Sequence, residues 1–392
     1  MFEQLNSRPA DSLLALIKAF QADDRSGKID LGVGVYRDAM GRTPVMRAVK
    51  AAEQFLLENQ DSKKYLGPEG DLQFVHLLEP IIFGNAPKFA HRLVGIQTPG
   101  GSGALRLGAE LIQAANPSAK VLLGIPSWPN HAPIFTSARL AVKDYAFVDL
   151  ASQQVKFESV IAALSSAGEG DVVLLHGCCH NPTGIDFTME QWQEITDLLV
   201  AHRLVPFIDL AYQGLGDGLE QDAAPTRMIL DAVDEALIAY SCDKNFGLYR
   251  ERVGALYVMA RNGNDLGKAE SNMAALARVN WSMPPDHGAA VVRTILESPE
   301  MTAMWRAELD EMCQRINGNR SALAAASADL AFISRQRGLF SNLSMPKETA
   351  VALRANHGIY MADSGRMNLA GMQPADAGAI VAALRAEGCL RS

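Results

Sequence analysis

Seven short strand candidates, most of them β-branched or apolar runs, punctuate the middle of the chain: Leu93–Gln97, Lys120–Ile125, Ala141–Phe147, Val172–His176, Val205–Asp209, Ala236–Ser241 and Val253–Ala260. Amphipathic stretches lie between most of them, including Ala104–Ala115 and Met189–His202, where Trp192, Ile195, Leu198 and Leu199 recur at helical spacing. Strands that alternate with helices cannot pair through tight hairpins. The helices must cross back over the sheet, so the strands run mostly parallel and are covered on both faces. The expected fold class is therefore α/β, with a mostly parallel seven-stranded sheet. In such a sheet, ligands gather at the carboxyl ends of the strands. Five polar segments fall at those ends: Gly100–Gly103, Ser127–His131, His176–Gly184, Asp209–Gln213 and Ser241–Lys244.

A chain of 392 residues exceeds one ordinary domain, and two are expected. The boundaries are set at 44–310 for a large domain, with 1–43 joining 311–392 in a smaller α+β part. Helical patterns return beyond about Met301, with short strands expected near Ala331–Ser334 and Arg366–Ala370. The net charge of −8 argues against nucleic acid as a partner. No run of eighteen apolar residues predicts a membrane span, and the N-terminus lacks the basic segment and cleavage site of a secretory signal. The five cysteines are odd in number and two are adjacent, which suits a reducing compartment better than a disulfide framework. A cytoplasmic enzyme fits all of this.

Lys244 closes Ser241-Cys-Asp-Lys244 just after a strand. Partial desolvation there would lower its pKa and free an amine nucleophile for a carbonyl, whereas a solitary lysine is ordinarily a solvated surface group. Asp209 ends another strand. Its carboxylate could cap a helix, or could pair with a protonated pyridine nitrogen. Tyr212, three residues on, could donate to a phenolate oxygen. Gly100-Gly101-Ser102-Gly103 follows a strand and opens a helix, a place where backbone N–H groups suit a phosphate. The full dinucleotide fingerprint and the nucleotide P-loop are both absent. His176-Gly-Cys-Cys-His180 crowds metal-ligating types together, but no second separated ligand pair accompanies it, so no metal is expected.

These pieces, in this order, resemble the class I, fold-type I aminotransferases, and most of all their aspartate and aromatic amino acid branch. The matching stretches are LGVGVYRD (31–38), KKYLGPEG (63–70), TPGGSGAL (98–105), PSWPNH (126–131), HGCCHNPTG (176–184), IDLAYQG (208–214), SCDKNFGLYRERVG (241–254), ARVNWSMPPDHG (277–288), RGLF (337–340) and SGRMNLAGM (364–372). The resemblance implies pyridoxal 5′-phosphate as cofactor, held by Lys244 as a Schiff base, and a ping-pong exchange between amino acids and 2-oxo acids with 2-oxoglutarate as acceptor. It implies Asp209 at the pyridine nitrogen, with His131 and His176 behind it, and Tyr212 and Asn181 at the phenolate oxygen. Trp128 would stack on one ring face and Ala211 would touch the other. Arg252, Ser241, Gly101 and Ser102 would hold the phosphate, joined by Tyr65 of the partner subunit. Arg366 would grip the α-carboxylate as a bidentate fork, with Gly34, Trp128 and Asn181 completing that end. Arg278 of the partner subunit would meet a distal carboxylate. Shared sites imply a homodimer.

Three positions depart from the family pattern. Asp243 precedes the lysine, where a small residue is usual. Directed toward the lysine its carboxylate would favour the protonated nitrogen, but adjacent side chains diverge and it could point away. Met283 stands where aspartate-selective members tend to carry asparagine, and Ser102 where they often carry threonine. Both favour aromatic side chains, while Arg278 keeps dicarboxylates acceptable. Two alternatives stand beside this reading. One is a cofactor-binding relative with impaired turnover owing to Asp243. The other is a serine acyl-enzyme using Ser241-x-x-Lys244, although its companion Ser-Asp-Asn and Lys-Thr-Gly motifs do not occur.

Overall fold

The computed structural model describes residues 1–7 and 12–391. All seven expected strands form and join one sheet. They are β1 (Leu93–Pro99), β2 (Lys120–Ile125), β3 (Ala141–Ala146), β4 (Val172–His176), β5 (Val205–Leu210), β6 (Ala236–Ser241) and β7 (Val253–Met259). Their order across the sheet is β1-β7-β6-β5-β4-β2-β3. Only β7 runs antiparallel to its neighbours; the other pairings are parallel. The central strands are buried on both faces, which is why they read as apolar runs without alternation.

The helix Gly100–Ala115 covers one face, where Leu105, Ala109 and Ile112 join Phe207, Ala239 and Leu256 in one cluster. On the other face, Met189–Ala201 places Trp192, Ile195 and Leu199 against Ile208 and Ile238. Thr188 opens that helix with a capping box closed by Gln191, which fixes its start after the turn.

A third cluster joins Ile29 and Leu31 to Leu323, Leu353, Met367 and Leu384. Ile29–Asp30 pairs in parallel with Ile359–Tyr360, so the N-terminal segment lies beside the C-terminal part. The longest helix, Pro299–Ala326, passes from the sheet to this cluster: its Trp305 belongs to the cluster that holds Ile208 and Ile238, and its Leu323 to the third.

One expected strand is corrected. Residues 331–334 lie inside a 3-10 helix, Ala328–Arg335. Leu330 and Ile333, three apart, bury on one side, so the apolar spacing there follows a tight helix and not a strand. The strand expected at Arg366–Ala370 is shorter, pairing only Arg366–Asn368 with Phe340–Asn342 before a 3-10 turn begins at Leu369.

Candidate active site

The strand ends deliver the polar segments to one place. Gly101, Ser102, Trp128, His176, Asn181, Asp209, Ala211, Tyr212, Ser241, Asp243 and Lys244 line a single pocket with Leu105. Register explains part of this gathering. In the parallel ladder Asp209 on β5 sits opposite His176 on β4, so both reach the same edge.

Asp209 is buried, and its Oδ2 lies 2.9 Å from Nε2 of the fully buried His131. Ser127 Oγ is 2.8 Å from the other ring nitrogen, Nδ1, which orients the imidazole. Burial alone would push the Asp209 carboxyl up. The His131 hydrogen bond and charge, with the charges of His176 and Lys244, overcome this and hold it below the usual carboxylate range. His176 packs 5.1 Å from the His131 ring, and burial pushes its pKa down to about 3. His180 extends the stack, 4.2 Å from His176, and is likewise held neutral by burial. The sequence reading had no role for His180. His131, His176 and Asp209 also form a possible metal-ligand set, but His131 and Asp209 already bond to each other.

Lys244 Nζ stands 5.2 Å from the centre of the Tyr212 ring. Burial lowers its pKa, against the opposing charges of Asp243 and Asp209. Asn181 Nδ2 donates to the Tyr212 hydroxyl at 3.4 Å, while Asn181 Oδ1 is buried with no partner.

The helix Gly100–Ala115 starts without a side-chain cap, so its first N–H groups are free of protein acceptors from its N-cap residue. Gly100 has φ +69, and a Cβ there would stand 2.6 Å from Arg252 Nη2. At Gly101 a Cβ would reach within 3.1 Å of Ser241 Cβ. Two bare glycines, an uncapped helix start, a serine and a guanidinium thus form an anion cradle. Asp243 turns its Oδ2 onto Arg252 Nη1, which settles its direction: the carboxylate engages the arginine. Its Oδ1 is buried without a hydrogen bond.

Arg366 lies beyond Tyr212. Its guanidinium is 4.5 Å from the Phe340 ring centre, and Nη2 donates to the Gly32 carbonyl at 3.2 Å. Phe340 in turn meets Tyr212 edge-on at 6.1 Å and presses on Gly34, where a Cβ would sit 2.7 Å from the ring. Phe340 is therefore the shared neighbour of three expected site residues, a role not read from the sequence. Burial lowers the Arg366 pKa from its usual value.

Tyr65 and Arg278 do not join this pocket. Tyr65 is 90% exposed, and Arg278 is exposed with its guanidinium on Ser282. Their segments meet on the surface, where the Leu66 N–H donates to Met283 Sδ at 3.0 Å.

The model of aminotransferases of classes I and II matches residues 26–384. The chain belongs to that family. The aminotransferase is 51% identical to the tyrosine aminotransferase of Rhizobium meliloti (strain 1021), covering 97% of this chain and 98% of the relative. It is 44% identical to the aspartate aminotransferase of Escherichia coli (strain K12), covering 95% and 96%. Its fold superposes with TM-score 0.94 on the aromatic-amino-acid aminotransferase of Burkholderia pseudomallei covalently bound to pyridoxal phosphate, at 37% identity and over 99% of each chain. The anion cradle, the low-pKa carboxylate and the orphaned Asn181 Oδ1 of this aminotransferase fit such a cofactor: one anionic end, one protonatable nitrogen and one polar ring substituent.

Proposed function

We propose that this chain is a pyridoxal 5′-phosphate-dependent aminotransferase that moves amino groups between aromatic or acidic L-amino acids and 2-oxo acids, with 2-oxoglutarate as acceptor. The observation that carries the reading is the convergence of Lys244, Asp209 and the Gly101–Ser241–Arg252 cradle around one pocket. When bound, the cofactor supplies a protonated ring that draws electron density from the substrate Cα.

The chain's residues do the rest. Lys244, its pKa lowered by burial, is the amine that would take the Cα proton and return it. Asp209, kept ionised by His131, accepts from the ring nitrogen and so maintains its positive charge. Asn181 and Tyr212 would bond the phenolate oxygen, and Trp128 and Ala211 would pack against the ring. Ser102, Gly101, Ser241 and Arg252 hold the phosphate. Arg366 binds the α-carboxylate, with Gly34 beside it, and thereby orients the Cα–H bond for removal.

The reading includes a homodimer, which one observation supports. Tyr65 and Arg278 are exposed and unused by their own pocket, as side chains offered to a partner's site would be. Arg278 there would pair with a distal carboxylate, while Met283 beside it tolerates aromatic rings. The division into 44–310 and 1–43 with 311–392, and a cytoplasmic location, belong to the same reading. No helix of the described residues is long and apolar enough to cross a membrane.

The test is spectroscopic. Adding L-aspartate or L-phenylalanine without an oxo acid should bleach the visible band of the bound cofactor and yield pyridoxamine 5′-phosphate with the matching 2-oxo acid. A protein that takes up no cofactor on reconstitution would overturn the reading.

A further inference from the structure

The Asp243–Arg252 pair stands at the mouth of the cradle. Asp243 is 4% exposed and lines the pocket. Its Oδ2 holds Arg252 Nη1, which also donates to the Tyr249 carbonyl at 3.1 Å. Its Oδ1 is buried and has no hydrogen-bond partner. Arg252 Nη2, on the other branch of the fork, lies against the start of the helix Gly100–Ala115. The charged groups around the carboxylate are Arg252 on the far side and Lys244 next in the chain, with Asp209 beyond the lysine.

A phosphate ester carries about −1.5 to −2 charge at neutral pH. Entering this cradle, it meets a guanidinium whose charge is already balanced by a buried carboxylate, and it comes near a carboxylate oxygen that can only accept. The two anions must share one cation, and like charges at close range in a partly buried site oppose each other strongly. An uncharged residue at 243 would leave the guanidinium's charge to the phosphate.

Resting on the cofactor assignment above, we propose that Asp243 is an internal counter-anion for Arg252 that competes with the cofactor's phosphate, so that this chain binds its cofactor less tightly and exchanges it more readily than it would with a neutral residue at 243. In the cofactor-free protein the same contact keeps Arg252 paired while the cradle is open to water. The ligand class affected is the phosphate monoester, and only through its phosphate.

The experiment compares the full-length parent with Asp243→Asn and Asp243→Ser. Each is converted to its pyridoxamine 5′-phosphate form with an amino donor, and release of that cofactor is followed by fluorescence after dilution. Affinities of the cofactor-free proteins for pyridoxamine 5′-phosphate, for pyridoxamine and for inorganic phosphate are measured alongside. Both variants should bind pyridoxamine 5′-phosphate tighter by about tenfold, the low end of what a hydrogen bond to a charged group carries. Inorganic phosphate should gain similarly, while pyridoxamine changes by less than about twofold. In an Arg252→Gln background the competition for the guanidinium is absent, so the Asp243→Asn gain should shrink to what direct like-charge repulsion supplies. Unchanged or weaker binding by both variants overturns the inference, since the carboxylate would then be inert or would hold Arg252 in place for the phosphate. A gain that pyridoxamine shares overturns it too. A parent that takes up no pyridoxamine 5′-phosphate overturns the cofactor reading and this inference together, which separates the two failures.

Discussion

His131 Nε2 and Asp209 Oδ2 are 2.9 Å apart at the end of the central strands, with the imidazole fully buried and its other nitrogen fixed by Ser127. This contact holds the Asp209 carboxyl below the usual carboxylate range, ready for the ring nitrogen it is proposed to face. His131→Leu removes the hydrogen bond and the charge but leaves the burial, so the Asp209 pKa rises. The active form needs the carboxylate ionised; its contribution is present above that pKa and fades as pH falls through it. The acid limb of kcat/KM should therefore move to higher pH in the variant, measured between about pH 4 and 8. Superimposable profiles would exclude this role.

Lys244→Ala removes the amine that carries the proton. Turnover should fall by about 10⁴-fold, the upper range for a single general acid–base group. The bound cofactor's absorbance should change as well, since its covalent attachment is lost. Turnover retained within about tenfold of the parent would assign the proton transfer elsewhere.

Gly34→Ala places a methyl 2.7 Å from the Phe340 ring and forces the ring off the Arg366 guanidinium. Because every amino acid presents the same α-carboxylate, KM should rise about tenfold for aspartate and phenylalanine alike, in line with the cost of overpacking. A rise for one substrate only would show that Phe340 shapes the side-chain pocket instead.

Arg278→Leu should separate the two substrate classes. kcat/KM for L-aspartate should fall by about 10–100-fold, the worth of hydrogen bonds to a charged group, with L-phenylalanine nearly unaffected. Equal losses for both would argue that Arg278 acts on the dimer and not on the substrate.

The buried histidines predict a pH dependence of stability. The pKa of His176 is about 3 in the fold against 6.5 as its ordinary value, so between those limits the unfolded chain binds more protons. Stability tied to this residue is therefore intact above about pH 6.5 and is lost as pH falls toward 3, at up to about 1.4 kcal/mol per pH unit. Asp186, whose carboxyl burial raises to about 6, acts in the opposite sense. Comparing His176→Asn with the parent by denaturant unfolding isolates the histidine: the variant's stability should fall less steeply on acidification. Parallel curves would refute the buried neutral state.

The central strands were legible because they are apolar runs of strand length bounded by polar turns, a signal set by burial on both faces, whereas the edge strand Ala141–Ala146 carries Lys143 and Asp144 and is largely exposed. The Ala328–Arg335 segment was misread because a short apolar stretch fits either period, and only the packing of Leu330 with Ile333 decides. Which polar segments meet was also readable, since strand ends share an edge. The direction of Asp243 was not, because it depends on where Arg252 arrives from β7, nine residues later. Phe340 escaped notice for a similar reason. Its ring touches Tyr212, Gly34 and Arg366, which lie far apart in the chain, and nothing near residue 340 announces that meeting.

The helix Pro299–Ala326 is about 42 Å of uninterrupted rod at 1.5 Å per residue. Near one end, Trp305 donates to the Asn245 carbonyl at 2.8 Å and stacks on Phe246, directly after the active lysine. Toward the other end, Asn319 bonds the carbonyls of Leu369 and Met372, and Arg320 bonds those of Gly338 and Phe340. The segments that follow Lys244 and that flank Arg366 are thus mounted on one beam, and with them the proposed proton carrier and the proposed carboxylate grip. A substitution along its buried seam would misalign the two tools together, so errors far from the pocket should surface as faulty timing between grip and transfer.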